Sequence, residues 1–387
     1  FYVQLRDLED TSLLRTIADN YKVEILGHNV YMPLWFTLAC SNESSGNALE
    51  MANLFYESGL FEAAEPDIMV EGLLQCVNDP LFSQQWGLQN TGQGGGTEGV
   101  DIHYCSAQEL TMGESYISVA IIDEGVDLQH ADLPNVTSSY DLFDHQSQDE
   151  IYGPHGTACA GVIGASANNN VGVAGISPNC YLMSIATDFH INVDAAQRMA
   201  DGIEWAWKHG ASVISNSWTI KNTPVGLINA AIQDAVTRGR NGKGCVIVFS
   251  SGNDNLPYVE YPSSNENVIS VGAIDRCGNR CVRVDAGHSC DYWDNYHKGS
   301  CYGRDLSVVA PGVNIPTTDI SGFSGNSIND YWLCFLGTSS ACPHVSGVAA
   351  LMLSVDSNLL WTDVRDIIEL TAQKVGDYEY IKEVLGF

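Results

Sequence analysis

The chain between residues 180 and 249 contains CYLMSI (180–185), AAQRMADGIEWAWKH (195–209), ASVISN (211–216), LINAAIQDAVTR (227–238) and CVIVF (245–249). Short apolar runs therefore alternate with segments long enough to form helices. This alternation is typical of βαβ units, whose strands lie side by side in a parallel sheet. The apolar run Tyr116–Ile122 and a helix expected from His155 extend the pattern toward the N-terminus. The sequence thus predicts an α/β domain.

Residues 1–75 show a different pattern and are predicted to form a small unit of their own. A βαββαβ order is expected, with its elements at Phe1–Leu5, Leu8–Asn20, two strands within Lys22–Ala39, Ala48–Ser58 and Phe61–Val70. Residues 76–114 are richer in Gly, Gln and Asn, which favours an extended linker that then enters the main body. We therefore place the domain boundary at Cys76, giving domains 1–75 and 76–387.

The charge balance argues against two classes of partner. The chain of 387 residues has 17 Lys+Arg against 47 Asp+Glu, a formal net charge of −30. No Lys or Arg lies between Lys22 and Arg198, so no basic face can form there to bind nucleic acid. An anionic membrane surface would repel the chain, and the longest small-and-apolar run, Val345–Val355, is about half of the ~20 residues that a spanning helix needs.

Twelve cysteines are many for a cytosolic chain, and we expect them to fall into two groups. Cys159, Cys245 and Cys342 lie among small or apolar residues and are predicted to be buried. Four others lie in a polar, aromatic stretch, where disulfides are favoured over a zinc site because no CxxC pair is present: Cys277, Cys281, Cys290 and Cys301. Disulfides indicate an oxidising compartment, so we expect a secreted or cell-envelope location.

Candidate catalytic residues lie where the carboxyl ends of the predicted parallel strands should meet. Asp123 follows one apolar run, Asn253 follows another, and Ser339 lies in a Gly-Thr-Ser turn that opens a helix expected to begin near Pro343. A serine hydroxyl needs a base, and the base needs a carboxylate that holds its tautomer. Asp123, His155 and Ser339 could supply these three groups.

Three local sequences carry a family resemblance. IIDEGV (121–126), continuing to Asp132, HGTACAG (155–161) and GTSSACPH (337–344) resemble the triad blocks of subtilisin-like serine peptidases. The resemblance covers about residues 78–370, and its opening, NDP (78–80) with QQWGL (84–88), is similar to the proprotein-convertase side of the family. Residues 1–75 resemble its propeptides. The resemblance implies a three-layer parallel-sheet catalytic domain after a ferredoxin-like propeptide domain.

The resemblance also implies roles for individual residues in a serine endopeptidase that forms an acyl-enzyme. Ser339 would attack the peptide carbonyl, His155 would transfer the proton and Asp123 would orient His155. Asn253 matches the oxyanion block, and the backbone N–H of Ser339 would be the second oxyanion donor.

Several residues are expected to bind an extended peptide substrate. Ser217 and Trp218 resemble the family strand that adds the substrate as a β-strand, whereas Thr219 departs from the usual Gly at the pocket mouth. Glu260 aligns with the base of that pocket, and Glu124 follows the catalytic Asp. Ser251 and Gly252, directly before Asn253, are also expected to bind substrate. The two carboxylates suggest a preference for basic residues before the scissile bond. The alternative is that both are solvated acids.

A calcium site is also implied by the resemblance. Its predicted ligands are the side chains of Asp79, Asp132 and Asn169 and the carbonyls of Val171 and Val173. The alternative is that the three consecutive asparagines simply form a turn.

Two functions remain open at this point. In the first, residues 1–75 are an intramolecular inhibitor of an active protease. In the second, they permanently cap a catalytically silent protein that binds peptides or protein partners. Residues 71–80 contain no Lys or Arg, which conflicts with self-cleavage at basic residues. Cleavage could ignore that preference, another protease could cut, or the domains could stay joined.

Overall fold

The computed structural model describes residues 1–29, 32–66, 76–146, 150–189, 194–221, 223–283 and 298–376. The chain divides into two compact units, Phe1–Leu74 and Gln75–Phe387. In the described residues, no helix combines the length and apolar character that a membrane span requires.

The first unit confirms the βαββαβ order. Its four antiparallel strands pair in the order β2-β3-β1-β4. Asn47 and Glu50 form a capping box at the start of the second helix, and the Phe55 ring packs between Phe1 and Phe61 in the core. The elements are β1 (Tyr2–Gln4), α1 (Thr11–Tyr21), β2 (Glu24–His28), β3 (Trp35–Ala39), α2 (Ala48–Glu57) and β4 (Ala63–Glu65). Residues 67–70 of the predicted last strand lie outside the described residues.

The second unit contains a seven-stranded parallel sheet in the order β11-β10-β9-β8-β5-β7-β6. Its strands are β5 (Ser118–Asp123), β6 (Val136–Asp141), β7 (Tyr181–Ala186), β8 (Val213–Asn216), β9 (Val246–Ser250), β10 (Ile269–Ile274) and β11 (Val308–Pro311). Its helices are α3 (Tyr104–Gln108), α4 (His155–Gly164), α5 (Ala195–Lys208), α6 (Gly226–Gly242), α7 (Thr338–Val355) and α8 (Trp361–Thr371). A separate antiparallel hairpin is formed by β12 (Ile315–Thr318) and β13 (Tyr331–Phe335).

Helices cover both faces of this sheet, which confirms the three-layer α/β prediction. Along β5, Val119 and Ile121 belong to the core shared with α4 and α7, whereas Ala120 and Ile122 belong to the core shared with α5 and α6. Alternate side chains thus point to opposite faces, and both faces are apolar because both are covered. This burial explains why the central strands are recognisable as continuous apolar runs.

Residues 76–114 contradict the prediction of an extended linker, because they pack into the second unit. Phe82 and Trp86 are buried in its core, and the Trp86 Nε1–H donates to the carbonyl of Val313 at 2.9 Å. A disulfide joins Cys76 to Cys105. Some of its polar side chains also bond to the domain, since Gln85 donates to the Ala174 carbonyl and Asn90 to the Arg276 carbonyl.

The cysteine prediction is partly wrong. Cys277 is disulfide-bonded, but Cys301 is a buried thiol that joins no disulfide in the described part of the chain, and Cys290 lies outside the described residues. Cys281 is buried, and its N–H donates to the Ala273 carbonyl near the end of β10. The Cys301 N–H donates to the Gly252 carbonyl just after β9. The predicted burial of the other group is confirmed, for Cys159, Cys245 and Cys342.

Candidate active site

The three proposed triad residues lie at element ends. Asp123 is the last residue of β5, His155 is the first of α4 and Ser339 is the second of α7. The His155 Nδ1 atom lies 2.8 Å from Asp123 Oδ1 and 3.0 Å from Oδ2. Asp123 is buried, whereas 29% of the His155 side chain is exposed. Asp123 therefore holds the imidazole on its buried side, and the other side of the ring is exposed to solvent.

The surroundings of His155 favour its protonated form. Burial by itself lowers the pKa of His155, but the charge of Asp123, the nearby Cys159 and the hydrogen bond to Asp123 together raise it well above 6.5. A carboxylate at this position stabilises the imidazolium that forms when a nucleophile loses its proton. The Phe335 ring packs edge-on against the imidazole, with ring centroids 5.4 Å apart.

The turn that carries Ser339 is held by Ser217. The Ser339 hydroxyl donates to the Ser217 carbonyl at 3.2 Å, and the Ser217 hydroxyl donates to the Ser339 carbonyl at 2.9 Å. That carbonyl is available because Pro343, one helical turn later, has no N–H. Among the described contacts no hydrogen bond joins Ser339 to His155, and such bonds commonly form only with substrate present.

The helix that contains Pro343 begins earlier than the sequence predicted. α7 begins at Thr338, five residues before Pro343, so the turn that carries Ser339 is itself the first turn of the helix. Proline is common at the first helical position, where its missing N–H costs nothing. Here Ser217 satisfies the carbonyl that Pro343 leaves unpaired, so the helix continues through the proline.

Asn253 has the orientation of an anion donor. Its Oδ1 accepts from the Thr338 N–H at 2.9 Å and from the Thr338 hydroxyl at 3.0 Å, which directs Nδ2 away from α7's first N–H. Gly337 has φ +106, and a Cβ there would lie 3.4 Å from Asn253 Nδ2 and 3.5 Å from Ser339 N. Both predicted oxyanion donors therefore lie beside one small space.

A second group of predicted residues surrounds a buried carboxylate. Glu260 is buried, and its Oε2 accepts from the Thr219 hydroxyl at 3.1 Å. Its Oε1 is also buried, and within the described residues it has no hydrogen-bond partner. Gly252 lies so close to this carboxylate that a Cβ there would overlap it. Burial raises the pKa of Glu260, although the Thr219 hydrogen bond opposes this. Thr219 thus binds Glu260 where the family usually has Gly.

The remaining residues that were predicted to bind substrate are Trp218, Ser251 and Glu124. Trp218 is buried, with its ring edge-on to Phe249 at 4.9 Å, and Ser251 is buried with its hydroxyl donating to Cys301 O at 3.2 Å. Glu124 lies beside His155, because its Oε2 accepts the backbone N–H of His155 at 3.4 Å.

The predicted calcium ligands also lie together. Asp79 and Asp132 are fully buried, and within the described part of the chain neither forms an ion pair with Lys or Arg. Asn169 connects them: its N–H donates to Asp79 at 3.3 Å and its Nδ2 to Asp132 Oδ1 at 2.7 Å. No described group donates a hydrogen bond to the carbonyls of Val171 or Val173. These oxygens match the hard donor set that Ca²⁺ prefers.

The sequence matches the Subtilase family over residues 114–387, which is more than half of the chain. This chain belongs to the subtilase family. It is 32% identical over 405 aligned residues to the "Calcium-dependent protease" of Nostoc sp. and 30% identical over 318 to "Neuroendocrine convertase 2" of Homo sapiens. These alignments cover 97% and 77% of this chain but only 58% and 47% of the relatives. This subtilase thus spans about half the length of those relatives.

A solved structure agrees with this assignment. A protease from Pseudoalteromonas arctica superposes with a TM-score of 0.60 at 26% identity, over 78% of this subtilase and 93% of that chain. The family resemblance stated from the sequence is therefore confirmed, including relatives on the convertase side.

Sequence reasoning missed one residue of this subtilase's candidate site. The Cys159 Sγ lies 3.7 Å from Asp123 Oδ2 and 3.8 Å from the Ser339 carbonyl. We predicted only that Cys159 is buried. Its position four residues after His155 on α4 was the available signal, since such residues share one helix face.

Proposed function

We propose that this subtilase is a serine endopeptidase that uses Asp123, His155 and Ser339. The observation that carries the proposal is the bidentate contact between His155 Nδ1 and Asp123, with Ser339 in the adjoining first turn of α7. The intact family motifs and relatives named as proteases support it. Because the relatives are longer, the substrates and partners of the whole protein are part of the proposal.

In the proposed mechanism, His155 accepts the Ser339 proton through Nε2 while Nδ1–H stays bonded to Asp123. Ser339 Oγ attacks the carbonyl carbon of an extended peptide, and the resulting oxyanion occupies the space beside Gly337. Asn253 Nδ2 and Ser339 N–H donate to that oxyanion. His155 then protonates the leaving amine, and water hydrolyses the acyl-enzyme by the same steps in reverse.

Replacing Asn253 with alanine is expected to lower kcat by about 10²–10³-fold with little change in KM, because the oxyanion exists only after attack. Steady-state hydrolysis of a fluorogenic peptide measures both constants. The melting temperature of the variant serves as the control for the lost Thr338 contacts. A kcat within threefold of wild type would show that Asn253 does not stabilise the oxyanion.

We further propose that the site prefers Lys or Arg before the scissile bond. Glu260 supports this, because a buried carboxylate oxygen without a partner is costly and a basic side chain would pair with it. Glu124 would bind a second basic side chain of the substrate, one position further from the scissile bond. Its carboxylate also contacts the start of α4.

Glu260→Gln is expected to reduce kcat/KM for peptides with Arg before the cleaved bond by about 10–100-fold, since the variant keeps the shape and loses the charge. Cleavage of matched peptides with Gln at that position should change by less than threefold. A peptide library compares the two enzymes directly. If wild-type enzyme cuts equally well after Leu or Phe, the basic preference is wrong.

We propose that Asp79, Asp132, Asn169 and the carbonyls of Val171 and Val173 bind Ca²⁺. Two buried carboxylates without a cationic partner in the described chain support the site, because burying unpaired charge is unfavourable. The bound ion would supply the missing positive charge and hold the start of the catalytic unit against residues 168–173.

Chelator is expected to lower the melting temperature of the wild-type chain by several degrees, since 100-fold excess of ligand over Kd contributes about 2.7 kcal/mol. Asp132→Asn should lose this response. Asp366→Asn, on the exposed face of α8, is the matched control. A chelator response retained in Asp132→Asn would place the ion elsewhere.

We propose that residues 1–75 are an intramolecular inhibitor and that the protein works outside the cytoplasm. The separate βαββαβ unit supports the first statement, and the disulfides at Cys76–Cys105 and Cys277 support the second. Both rest on the family assignment as well.

The intact mass before and after a fluorophosphonate, with and without chelator, tests the proposed function. One adduct on Ser339 is the expected result, and loss of about 75 N-terminal residues beforehand would show maturation. If no adduct forms even after the N-terminal unit is removed, the protein is a binding protein rather than a protease.

A further inference from the structure

The hairpin β12–β13 contacts both the proposed calcium site and the triad. Its strands pair antiparallel, with Thr318 opposite Tyr331 and Ile315 opposite Phe335. Tyr331 and Phe335 are the two ends of β13, about 13 Å apart at the usual rise of an extended strand. Neither residue has a role in the proposed mechanism or among the proposed calcium ligands.

At the calcium end, Tyr331 contacts two parts of the proposed site. Its hydroxyl donates to Asp132 Oδ2 at 3.3 Å. Its ring lies directly against Gly172, which has φ +46 in the loop that supplies the Val171 and Val173 carbonyls, and a Cβ at position 172 would overlap the ring. Tyr331 therefore contacts both the Asp132 carboxylate and the loop that contains Gly172.

His130 forms a second link to the same end of β13. The Asp132 N–H donates to His130 Nδ1 at 3.1 Å, so Nδ1 is the acceptor and the proton lies on Nε2. Nε2–H then donates to the Asp330 carbonyl at 2.9 Å, one residue before Tyr331. The imidazole also packs edge-on against the Tyr331 ring, with centroids 5.3 Å apart. A shift of Asp132 would thus move the start of β13.

At the catalytic end, the hairpin holds the helix that begins with His155. The buried Phe335 ring packs edge-on against the His155 imidazole, 5.4 Å between centroids. On the partner strand, the Thr317 hydroxyl donates to the Ala158 carbonyl at 2.6 Å and the Thr318 hydroxyl to the Thr157 carbonyl at 2.7 Å. All three contacts fix α4 or the imidazole itself.

We propose that Tyr331 is a positioning residue that couples cation binding at Asp132 to the orientation of His155 through β13. The inference rests on the calcium site proposed above. An ion that binds Asp132 reorders a carboxylate to which the Tyr331 hydroxyl donates, and outer contacts of this kind tune both metal affinity and ligand geometry. Coupling of this kind requires a response of His155 to the ion, which can be measured without catalysis.

The test uses the full chain carrying Ser339→Ala, which cannot digest itself. The readouts are Ca²⁺ affinity by calorimetry and the downfield proton NMR signal of the His155 Nδ1–H, recorded in saturating Ca²⁺ and in chelator. In this background the Nδ1–H signal should shift or broaden on chelation. Adding Tyr331→Phe should weaken Ca²⁺ binding about tenfold and abolish the chelator-dependent change. Tyr181→Phe, at the exposed first residue of β7, should behave like the background.

A substitution at the other end of β13 provides an independent test of the coupling. Phe335→Leu keeps the Tyr331 contact with Asp132 and removes the ring against His155, so Ca²⁺ affinity should stay within twofold while the Nδ1–H signal no longer responds. A response that persists in Tyr331→Phe and Phe335→Leu at saturating Ca²⁺, or that is absent from the background despite Ca²⁺ binding, overturns the coupling. Absence of Ca²⁺ binding in the background instead removes the proposed site itself.

Discussion

Ser339→Ala is expected to reduce kcat for a peptide substrate by about 10⁶-fold while leaving the fold intact. Alanine removes the only atom that attacks the carbonyl, and the described contacts that it loses are few: one hydrogen bond from Oγ to the Ser217 carbonyl. The Ser217 hydroxyl still donates to the Ser339 carbonyl, so the first turn of α7 should stay in place. Substrate binding should therefore change little.

Progress curves with a fluorogenic peptide, together with fluorophosphonate labelling, measure this effect. Ser264→Ala, an exposed serine, is the matched control and should retain full activity and full labelling. A residual rate about 10³–10⁴-fold above the uncatalysed reaction is expected, because the oxyanion donors remain. A variant that still hydrolyses peptide within tenfold of wild type would show that another residue is the nucleophile.

Asp123→Asn should produce the second largest loss, about 10⁴-fold in kcat. The neutral amide no longer stabilises the imidazolium. Its Nδ2 can also donate to His155 Nδ1, which places the imidazole proton on Nε2 and removes the base from the side that faces Ser339. Cys159 and the Glu124 N–H contact the same carboxylate, so part of the loss will come from their rearrangement.

The pH profile separates this explanation from simple misfolding. His155 must be unprotonated to act, so wild-type activity rises as pH passes upward through its pKa. Burial lowers that pKa, and the Asp123 charge, the nearby Cys159 and the hydrogen bond to Asp123 together raise it. Without the charge, the acid limb of kcat/KM in Asp123→Asn should move to lower pH. Asp234→Asn, from a surface pair with Arg238, should leave the profile unchanged, and an unmoved limb in Asp123→Asn would contradict the assignment.

The parts of the fold that were predicted correctly share one property, which is burial on both faces. β5, β7, β8 and β9 are continuous apolar runs because helices cover both sides of the sheet. β6 reads VTSSYD and is largely half-exposed, and the hairpin strand β12 reads IPTT with its two threonines bonded to α4. We did not predict these strands, because polar edge strands lack an apolar pattern.

Two of the errors originate in tertiary contacts between distant residues. The linker prediction for residues 76–114 failed because Gln85 and Trp86 donate hydrogen bonds to backbone far along the chain, at Ala174 and Val313. The start of α7 was misplaced because Ser217 satisfies the carbonyl that Pro343 leaves unpaired. Local propensity cannot anticipate partners that lie 89, 122 or 227 positions away along the chain.

The sequence by itself determined the parallel α/β architecture, the βαββαβ unit and the family, because alternating apolar runs and contiguous motifs are properties of neighbouring residues. Only the tertiary structure decided which separate residues touch. Thr219 holds Glu260, Cys159 lies beneath the triad, and Tyr331 reaches Asp132 across 199 positions of sequence. Such pairs form because parallel strands bring distant loops to one edge of the sheet, and the path of the whole chain sets which loops meet there.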